Sequence, residues 1–384
     1  MKNWFKLMMI AGAVALVLEA APALGQAPVI ASFGRKGELV CTNLQPGTVA
    51  SVGWAAAVTG PWTNSWAGLA TATADSNGAI RVSVPMFYRV RGTPPPTNPP
   101  APAGMVLIPA GPFTMGDNLD GVTSALPLHT NQISAFYMDK YEVTKALWDE
   151  VRVWANTHGY TFDNAGSGKA TNHPVHTVSW YDVVKWCNAR SEKESRVSAY
   201  YTSAAQTTVY RTGQTNVQND WVKWSSGYRL PTESEWEKAA RGGASGQRFP
   251  WGNTITWSRA NYYAYPASAG GHAYDLNPTI GYNPAFNDGV YPYTSPVGYF
   301  APNGYGLYAM AGNLWEWTWD WWGSYTASPA TDPHGPVSGS SRMMRGGSWY
   351  TYAIDCRAAN RYNLYPTYRD TALGFRSVLS PGQP

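Results

Sequence analysis

The chain of 384 residues is poor in charge and in cysteine. Charged side chains make up 14% of the sequence and the formal net charge is +4, whereas about a quarter of a typical globular chain is charged. No Lys/Arg-rich run accompanies this weak charge, so we expect no nucleic-acid partner. Three cysteines, Cys41, Cys187 and Cys356, allow at most one disulfide, and their spacing matches no zinc site.

Long apolar runs are also lacking, except near the N-terminus. There, Lys2 and Lys6 precede the apolar residues 7–18, and Ala23-Leu24-Gly25 follows as a small-x-small cleavage pattern. The run is too short to span a bilayer. A buried N-terminal helix is the alternative for the same residues. We predict that residues 1–25 are a cleaved signal peptide. The mature protein is then exported (periplasmic, extracellular or at the cell surface) and has no membrane partner.

What the sequence does contain is 19 Trp, 25 Tyr, 38 Gly and 29 Pro. Residues 27–92 predict a small β-sandwich-like module, because apolar and small residues alternate over 50–54 and 80–84, and residues 87–90 would close it. Residues 93–103 form a Pro-rich linker of extended backbone. Residues 104–381 then form one larger domain. In the β module, Cys41 is interpreted as a small buried hydrophobic residue.

The larger domain shows few periodic segments. Helices are predicted over 145–157 and 181–193, and a third begins at Glu233, where Thr232 and Glu235 have capping-box spacing. Strands are predicted over 105–108 and 372–378. Backbone groups outside these elements must be satisfied by side chains, buried water or cations, and calcium suits carbonyl and carboxylate oxygens.

Several short motifs in this domain occur in the order found in one known family. They are 105–111 (MVLIPAG), 113–116 (FTMG), 136–144 (FYMDKYEVT), 173–180 (HPVHTVSW), 229–237 (RLPTESEWE), 250–253 (PWGN), 303–308 (NGYGLY), 312–317 (GNLWEW), 345–349 (RGGSW) and 374–376 (GFR). On these motifs residues 104–381 resemble the sulfatase-modifying-factor family, whose type member is the formylglycine-generating enzyme. The resemblance implies an α+β, C-type-lectin-like fold with little regular secondary structure, here preceded by the small all-β module.

The resemblance also implies a reaction, the oxidation by O₂ of a cysteine in a Cys-x-Pro-x-Arg sulfatase motif to Cα-formylglycine. The family's enzyme binds Cu(I) between two cysteines, because this soft ion favours thiolates. Counted forward from residues 346–348, these cysteines fall on Thr351 and Cys356; counted back from residues 357–361, Cys356 matches neither. We therefore expect the copper pair to be incomplete and Cu(I) not to be a cofactor. Ser348 and Trp315 match residues of the family's oxygen pocket, and Asp355 replaces its tyrosine.

The resemblance further implies two calcium sites. The first matches the side chains of Asn261 and Asp288 and the carbonyls of Tyr262 and Val290. The second matches Glu316 and the carbonyls of Gly312 and Leu314, but Ala309 replaces its remaining side-chain ligand. Without a metal, the buried Glu316 would need another cation or an arginine partner. Cys187 matches a structural position whose partner falls on Ser377, so we expect a free buried thiol. His173 and His176 are interpreted as loop residues.

Two functions from different classes remain. The first is an exported, calcium-stabilised, non-catalytic binding or scaffold protein, whose aromatic loops contact a glycan, peptide or protein. The alternative is a formylglycine-generating oxidase that acts on a sulfatase-type polypeptide. Capacity to bind copper distinguishes the two.

Overall fold

The structure, a computed structural model, divides into two compact units, Met1–Thr97 and Asn98–Pro384. It describes residues 101–381 throughout and, before them, residues 5–11, 14–20, 29–33, 38–42, 49–55, 72–73, 75–77 and 79–83. No helix in these ranges has both the length and the apolar character needed to cross a membrane.

The described residues of the first unit form two antiparallel sheets. One has the strand order β1-β2-β5-β6 and the other β3-β4-β7. The strands are β1 (Phe5–Ala11), β2 (Val14–Ala20), β3 (Val29–Phe33), β4 (Glu38–Thr42), β5 (Val49–Ala55), β6 (Ala72–Thr73) and β7 (Ile80–Ser83). The strands predicted over 50–54 and 80–84 correspond to β5 and β7, whereas the closing strand over 87–90 lies outside the described residues. The predicted signal segment contributes β1 and β2.

Residues 101–381 of the second unit contain three α-helices, each capped at its N-terminus by a Ser or Thr hydroxyl. They are α1 (Lys145–Asn156), α2 (Trp180–Lys193) and α3 (Glu233–Arg241). At α3 the Thr232 hydroxyl accepts a hydrogen bond from the Glu235 amide, and the Glu235 carboxylate accepts one from the Thr232 amide. Helix α2 has the same reciprocal arrangement between Ser179 and Asp182. The three predicted helices are confirmed.

Three small sheets complete this unit, with orders β14-β10-β9, β12-β18-β11-β8 and β16-β15-β13-β17. Their strands are β8 (Met105–Ile108), β9 (Gly111–Met115), β10 (His129–Ile133), β11 (Phe136–Asp139), β12 (Tyr228–Arg229), β13 (Trp315–Trp321), β14 (Ala330–Thr331), β15 (Arg342–Arg345), β16 (Tyr362–Leu364), β17 (Leu373–Gly374) and β18 (Val378–Leu379). Short 3₁₀ turns lie at Thr123–Ala125, Asn219–Trp221 and Ala267–Ala269. Few helices and short mixed sheets confirm the expected α+β fold with little regular structure.

The strand predicted over 372–378 is broken into two. Strand β17 pairs with β13, while β18 pairs with β11 and β12, so the chain crosses from one sheet to another at Phe375, Arg376 and Ser377. Arg376 is fully buried there. Its guanidinium is bound to Glu316 of the first sheet and to backbone carbonyls, while the carbonyls of Phe375 and Ser377 accept from the amides of Val143 and Asp139.

Strand β13 lies at the centre of the second unit. All seven of its residues are buried, which requires partners on both faces. Because side chains alternate across a strand, Trp315, Trp317 and Trp319 share one face and join the main apolar core with α1 and α2. The opposite face carries Glu316 and Asp320, which bond to Arg376 and to the N-terminus of α3.

Candidate functional site

A tight turn after β15 forms the floor of the candidate site. Gly347 has φ +72°, and a Cβ atom there would lie 2.7 Å from Cys356 Sγ, so both the backbone conformation and the close approach require glycine. The turn is held by Ser348, whose amide donates to Thr351 Oγ1 at 2.8 Å and whose carbonyl accepts from the Thr351 amide at 3.1 Å. Ser348 is fully buried, and Thr351 is partly exposed.

Above this turn lies a cavity of about 410 Å³. It brings together two of the three predicted catalytic residues, Trp315 and Ser348, with Thr351 at one expected copper position. Its lining residues are Trp315, Met344, Ser348, Tyr350, Thr351, Asp355, Tyr362, Leu364, Tyr368, Asp370, Ala372 and Leu373. We call it the aromatic cavity, because four of these residues are Trp or Tyr.

The third predicted catalytic residue, Cys356, does not line the aromatic cavity. It is fully buried in a separate apolar cluster, with Phe249, Tyr262 and Ala353 among its neighbours. Burial, with a smaller contribution from Asp355, raises the pKa of the Cys356 thiol well above its ordinary value. The thiolate that copper would require is therefore disfavoured at this position.

The residues present do not fit the family's copper ion. The thiols of Cys187 and Cys356 are both free, and they lie in different core clusters. Thr351 offers a hydroxyl, a poor ligand for Cu(I). Burial also raises the pKa of the Cys187 thiol, as expected for a free buried cysteine on the inner face of α2. Among the described residues, no cluster of three or more His, Cys, Asp or Glu side chains could hold a metal ion.

Asp355 is the unusual charged residue of the aromatic cavity. Its side chain accepts a long hydrogen bond from Asn360 Nδ2 at 3.5 Å and another from the Tyr352 backbone, and it forms no ion pair with a described residue. Burial raises its pKa to about 6, despite the opposing effects of the Tyr352 backbone, Arg357 and Asn360. A partly buried carboxylate that has a raised pKa and no ion pair is characteristic of a ligand-binding position.

At the expected first calcium site the structure places a lysine. The Lys169 ammonium donates to Asp288 Oδ1 at 2.7 Å and to the Val290 carbonyl at 3.0 Å. The hydrogen bond from Lys169 is also the main cause that lowers the pKa of Asp288. Asn261 Nδ2 donates to the Tyr293 carbonyl, which leaves its Oδ1 as the atom that could bind calcium, and the Tyr262 carbonyl accepts from Trp257 Nε1 at 3.3 Å. A calcium ion fits here only if Lys169 moves away.

The expected second site is filled by an arginine. Both Glu316 oxygens accept from Arg376, at 2.6 and 2.7 Å, and Oε2 also accepts from Trp236 at 2.8 Å. Burial, followed by the Glu316 charge, raises the pKa of nearby Glu142 to about 8. Glu142 accepts hydrogen bonds from Asn313 Nδ2 and the Leu314 amide, and the Arg376 guanidinium, paired with both Glu316 oxygens, takes the place that a cation would need. The residues around Glu316, Gly312 and Leu314 therefore do not fit calcium. Of the two partners expected for Glu316, a cation or an arginine, the structure has the arginine.

Three residues of these sites were not predicted from the sequence, namely Lys169, Arg376 and Asp370. Lys169 lies 119 positions from Asp288, and no local pattern marks the contact. Arg376 belongs to the GFR motif and Glu316 to the GNLWEW motif, so the presence of both in family motifs could have indicated that they pair in the core. The predicted loop residues His173 and His176 are buried, and their rings contact Thr294 and Thr177 respectively.

Comparisons with known proteins agree with this architecture. The family profile described as "Sulfatase-modifying factor enzyme 1-like domain" matches residues 91–381. The formylglycine-generating enzyme of Bos taurus is 33% identical over 313 residues, which cover 74% of this chain and 77% of the enzyme. The chaperone protein LppX of Paenibacillus barcinonensis is 34% identical over 225 residues, 56% of this chain and 70% of LppX.

Among solved structures, Treponema denticola variable protein 1 superposes with a TM-score of 0.54 at 28% identity. The match covers 72% of this chain and 95% of that protein. The profile match extends over most of the chain, and the Bos taurus relative exceeds 30% identity over most of both proteins. The chain belongs to the sulfatase-modifying-factor family.

Proposed function

We propose that this chain is an exported, non-catalytic binding protein of its family and that the aromatic cavity is its ligand site. The observation that carries the proposal is the position of Cys356, whose thiol lies in an apolar cluster instead of the cavity. Thr351, at the other position expected for a copper thiolate, has a hydroxyl instead. Export rests on the basic and apolar pattern of residues 1–25.

The cavity itself supports binding. Tyr350, Tyr362 and Tyr368 are 59%, 51% and 42% exposed at its rim, while Trp315 is 5% exposed at its base. Rings supply large contact area and lose little conformational entropy on binding. A peptide, glycan or protein segment could contact this wall. A chaperone among the relatives suits a binding role, although that name belongs to LppX alone.

The decisive experiment tests for the oxidase reaction. The purified mature protein is incubated with Cu(I), O₂ and a Cys-x-Pro-x-Arg peptide, and mass spectrometry follows conversion of the cysteine –CH₂SH to –CHO. A two-cysteine member of the family, under the same conditions, is the positive control. We expect aldehyde from the control and none from this chain, and no stoichiometric copper after dialysis. Aldehyde formation that is lost in Cys356→Ser would overturn the proposal and restore the formylglycine-generating oxidase.

Binding is tested on the same protein. A peptide or glycan array gives candidate ligands, and Tyr362→Ala in the cavity wall should weaken each of them. Tyr365→Ala is the matched control, because Tyr365 is 65% exposed and does not line the cavity. Equal loss in both variants would contradict the assignment of the cavity as the ligand site.

A further inference from the structure

The aromatic cavity combines ring faces with carboxylates. Trp315 and Tyr362 lie with ring centroids 5.7 Å apart and planes at 36°, so they form a continuous wall with Tyr350 and Tyr368 beside it. The faces of such rings carry partial negative charge, which attracts cations.

Two carboxylates line the same space. Asp370 accepts a hydrogen bond from the Ala372 amide at 2.8 Å and a long one from the Tyr368 hydroxyl at 3.4 Å. Asp355 accepts a long bond from Asn360 Nδ2 at 3.5 Å and a hydrogen bond from the Tyr352 backbone. Neither carboxylate forms an ion pair in the described part of the chain, whereas Glu316 is paired with Arg376 and Asp288 with Lys169.

No basic side chain among the described lining residues balances these acids. Arg357, the neighbour that acts on Asp355, is buried and bound to Asp117 and Asp120. His176 is close enough to feel the charge of Asp370, but burial lowers its pKa to about 4, so it is neutral at physiological pH. The cavity therefore presents two negative groups and four rings without a cation of its own.

We propose that the aromatic cavity binds an organic cation, an ammonium or guanidinium group on an apolar stem. The stem packs on Trp315 and Tyr362, the rim tyrosines surround the charged group, and Asp355 and Asp370 accept its N–H donors or balance its charge. Lysine and arginine side chains of a polypeptide have this chemistry, and so do small free amines. The inference rests on the proposed binding function and specifies the ligand class of the same cavity.

Isothermal titration with matched probes tests the ligand class. The cationic probes are N-acetyl-lysine methylamide and N-acetyl-arginine methylamide, which represent polypeptide side chains, and choline and agmatine, which represent free amines. The neutral isosteres are the methylamides of N-acetyl-norleucine and N-acetyl-citrulline. We expect at least one cationic probe to bind about tenfold or more tightly than its neutral isostere, and the better-binding pair of cations identifies the source.

Variants then locate the binding. Asp355→Asn and Asp370→Asn should each weaken the cationic probe about tenfold while leaving the neutral isostere unchanged. Tyr365→Ala should bind like the wild type, and the melting temperature of each variant reports folding. Equal affinity for cations and neutral isosteres, retained affinity in both Asp variants, or no cation binding up to about 10 mM would overturn the inference.

The proposed binding function fails by a different observation. If the arrays give a neutral ligand whose binding is weakened by Tyr362→Ala, the binding function stands and the cationic ligand class is wrong. If the protein generates formylglycine, the binding function itself is wrong.

Discussion

Replacing Asp355 with asparagine should make the protein more stable at neutral pH. The folded protein raises the pKa of this carboxyl from an ordinary 3.8 to about 6, so folding is penalised when the group is ionised. Each pKa unit corresponds to about 1.4 kcal/mol, and the penalty at pH 8 is therefore about 3 kcal/mol. Asparagine keeps the shape of the side chain and removes the charge.

The sign of the pH dependence follows from the same shift. Because the folded pKa is raised, the wild type loses stability as pH rises from about 4 to about 6 and reaches a constant penalty above that range. Below about pH 4 both folded and unfolded chains hold the proton, and the penalty vanishes. The Asp355→Asn advantage should therefore be largest above pH 6 and should disappear near pH 4.

Thermal unfolding of both proteins between pH 4 and pH 8 measures this difference. For a domain of this size about 3 kcal/mol corresponds to a shift of about 6–12 °C. Asp149→Asn is the matched control, because Asp149 pairs with Lys145 on the exposed side of α1 and should change stability by less than about 0.5 kcal/mol. An Asp355→Asn protein that is less stable than the wild type at pH 8 would refute the reasoning.

Three further results are expected. Arg376→Gln leaves a buried carboxylate without its cation and should cost about 3–5 kcal/mol in urea unfolding; a loss below about 1 kcal/mol would contradict the pairing described here. Calcium and chelators should leave the wild-type melting temperature unchanged. The melting temperature of Lys169→Ala should rise with calcium, and the double variant that also carries Asp288→Asn should lose this rise. A calcium-dependent rise in the wild type would show that Lys169 moves away and admits the ion. Cys187 and Cys356 should resist a thiol reagent in the native protein and react on unfolding, because burial holds both as neutral thiols; rapid native labelling of either would show that it is accessible.

Local signals in the sequence predicted much of the fold. The capping-box spacing of Thr232 and Glu235 predicted where α3 begins, because a cap depends on residues within one turn. The break at Arg376 was not predictable in this way, because the strand pattern continues through it. It depends on a partner, Glu316, that lies 60 positions earlier in the chain.

The candidate site was predictable in its position and less so in its chemistry. The resemblance to the family implied a shared pocket for Trp315 and Ser348, which both line the aromatic cavity, but the residue count alone left Cys356 open as a copper ligand. Its exclusion follows from packing against Phe249 and Tyr262, which no residue count contains. The contact between Lys169 and Asp288 likewise depends on two loops that meet only in the folded chain.

The contact between Gly347 and Cys356 links the core to the floor of the aromatic cavity. A Cβ atom at position 347 would meet Cys356 Sγ at 2.7 Å and the Cys356 amide nitrogen at 2.9 Å, so any larger residue there would push the 347–351 turn away from the core. The depth of the aromatic cavity thus depends on a glycine that is not among the residues that line it.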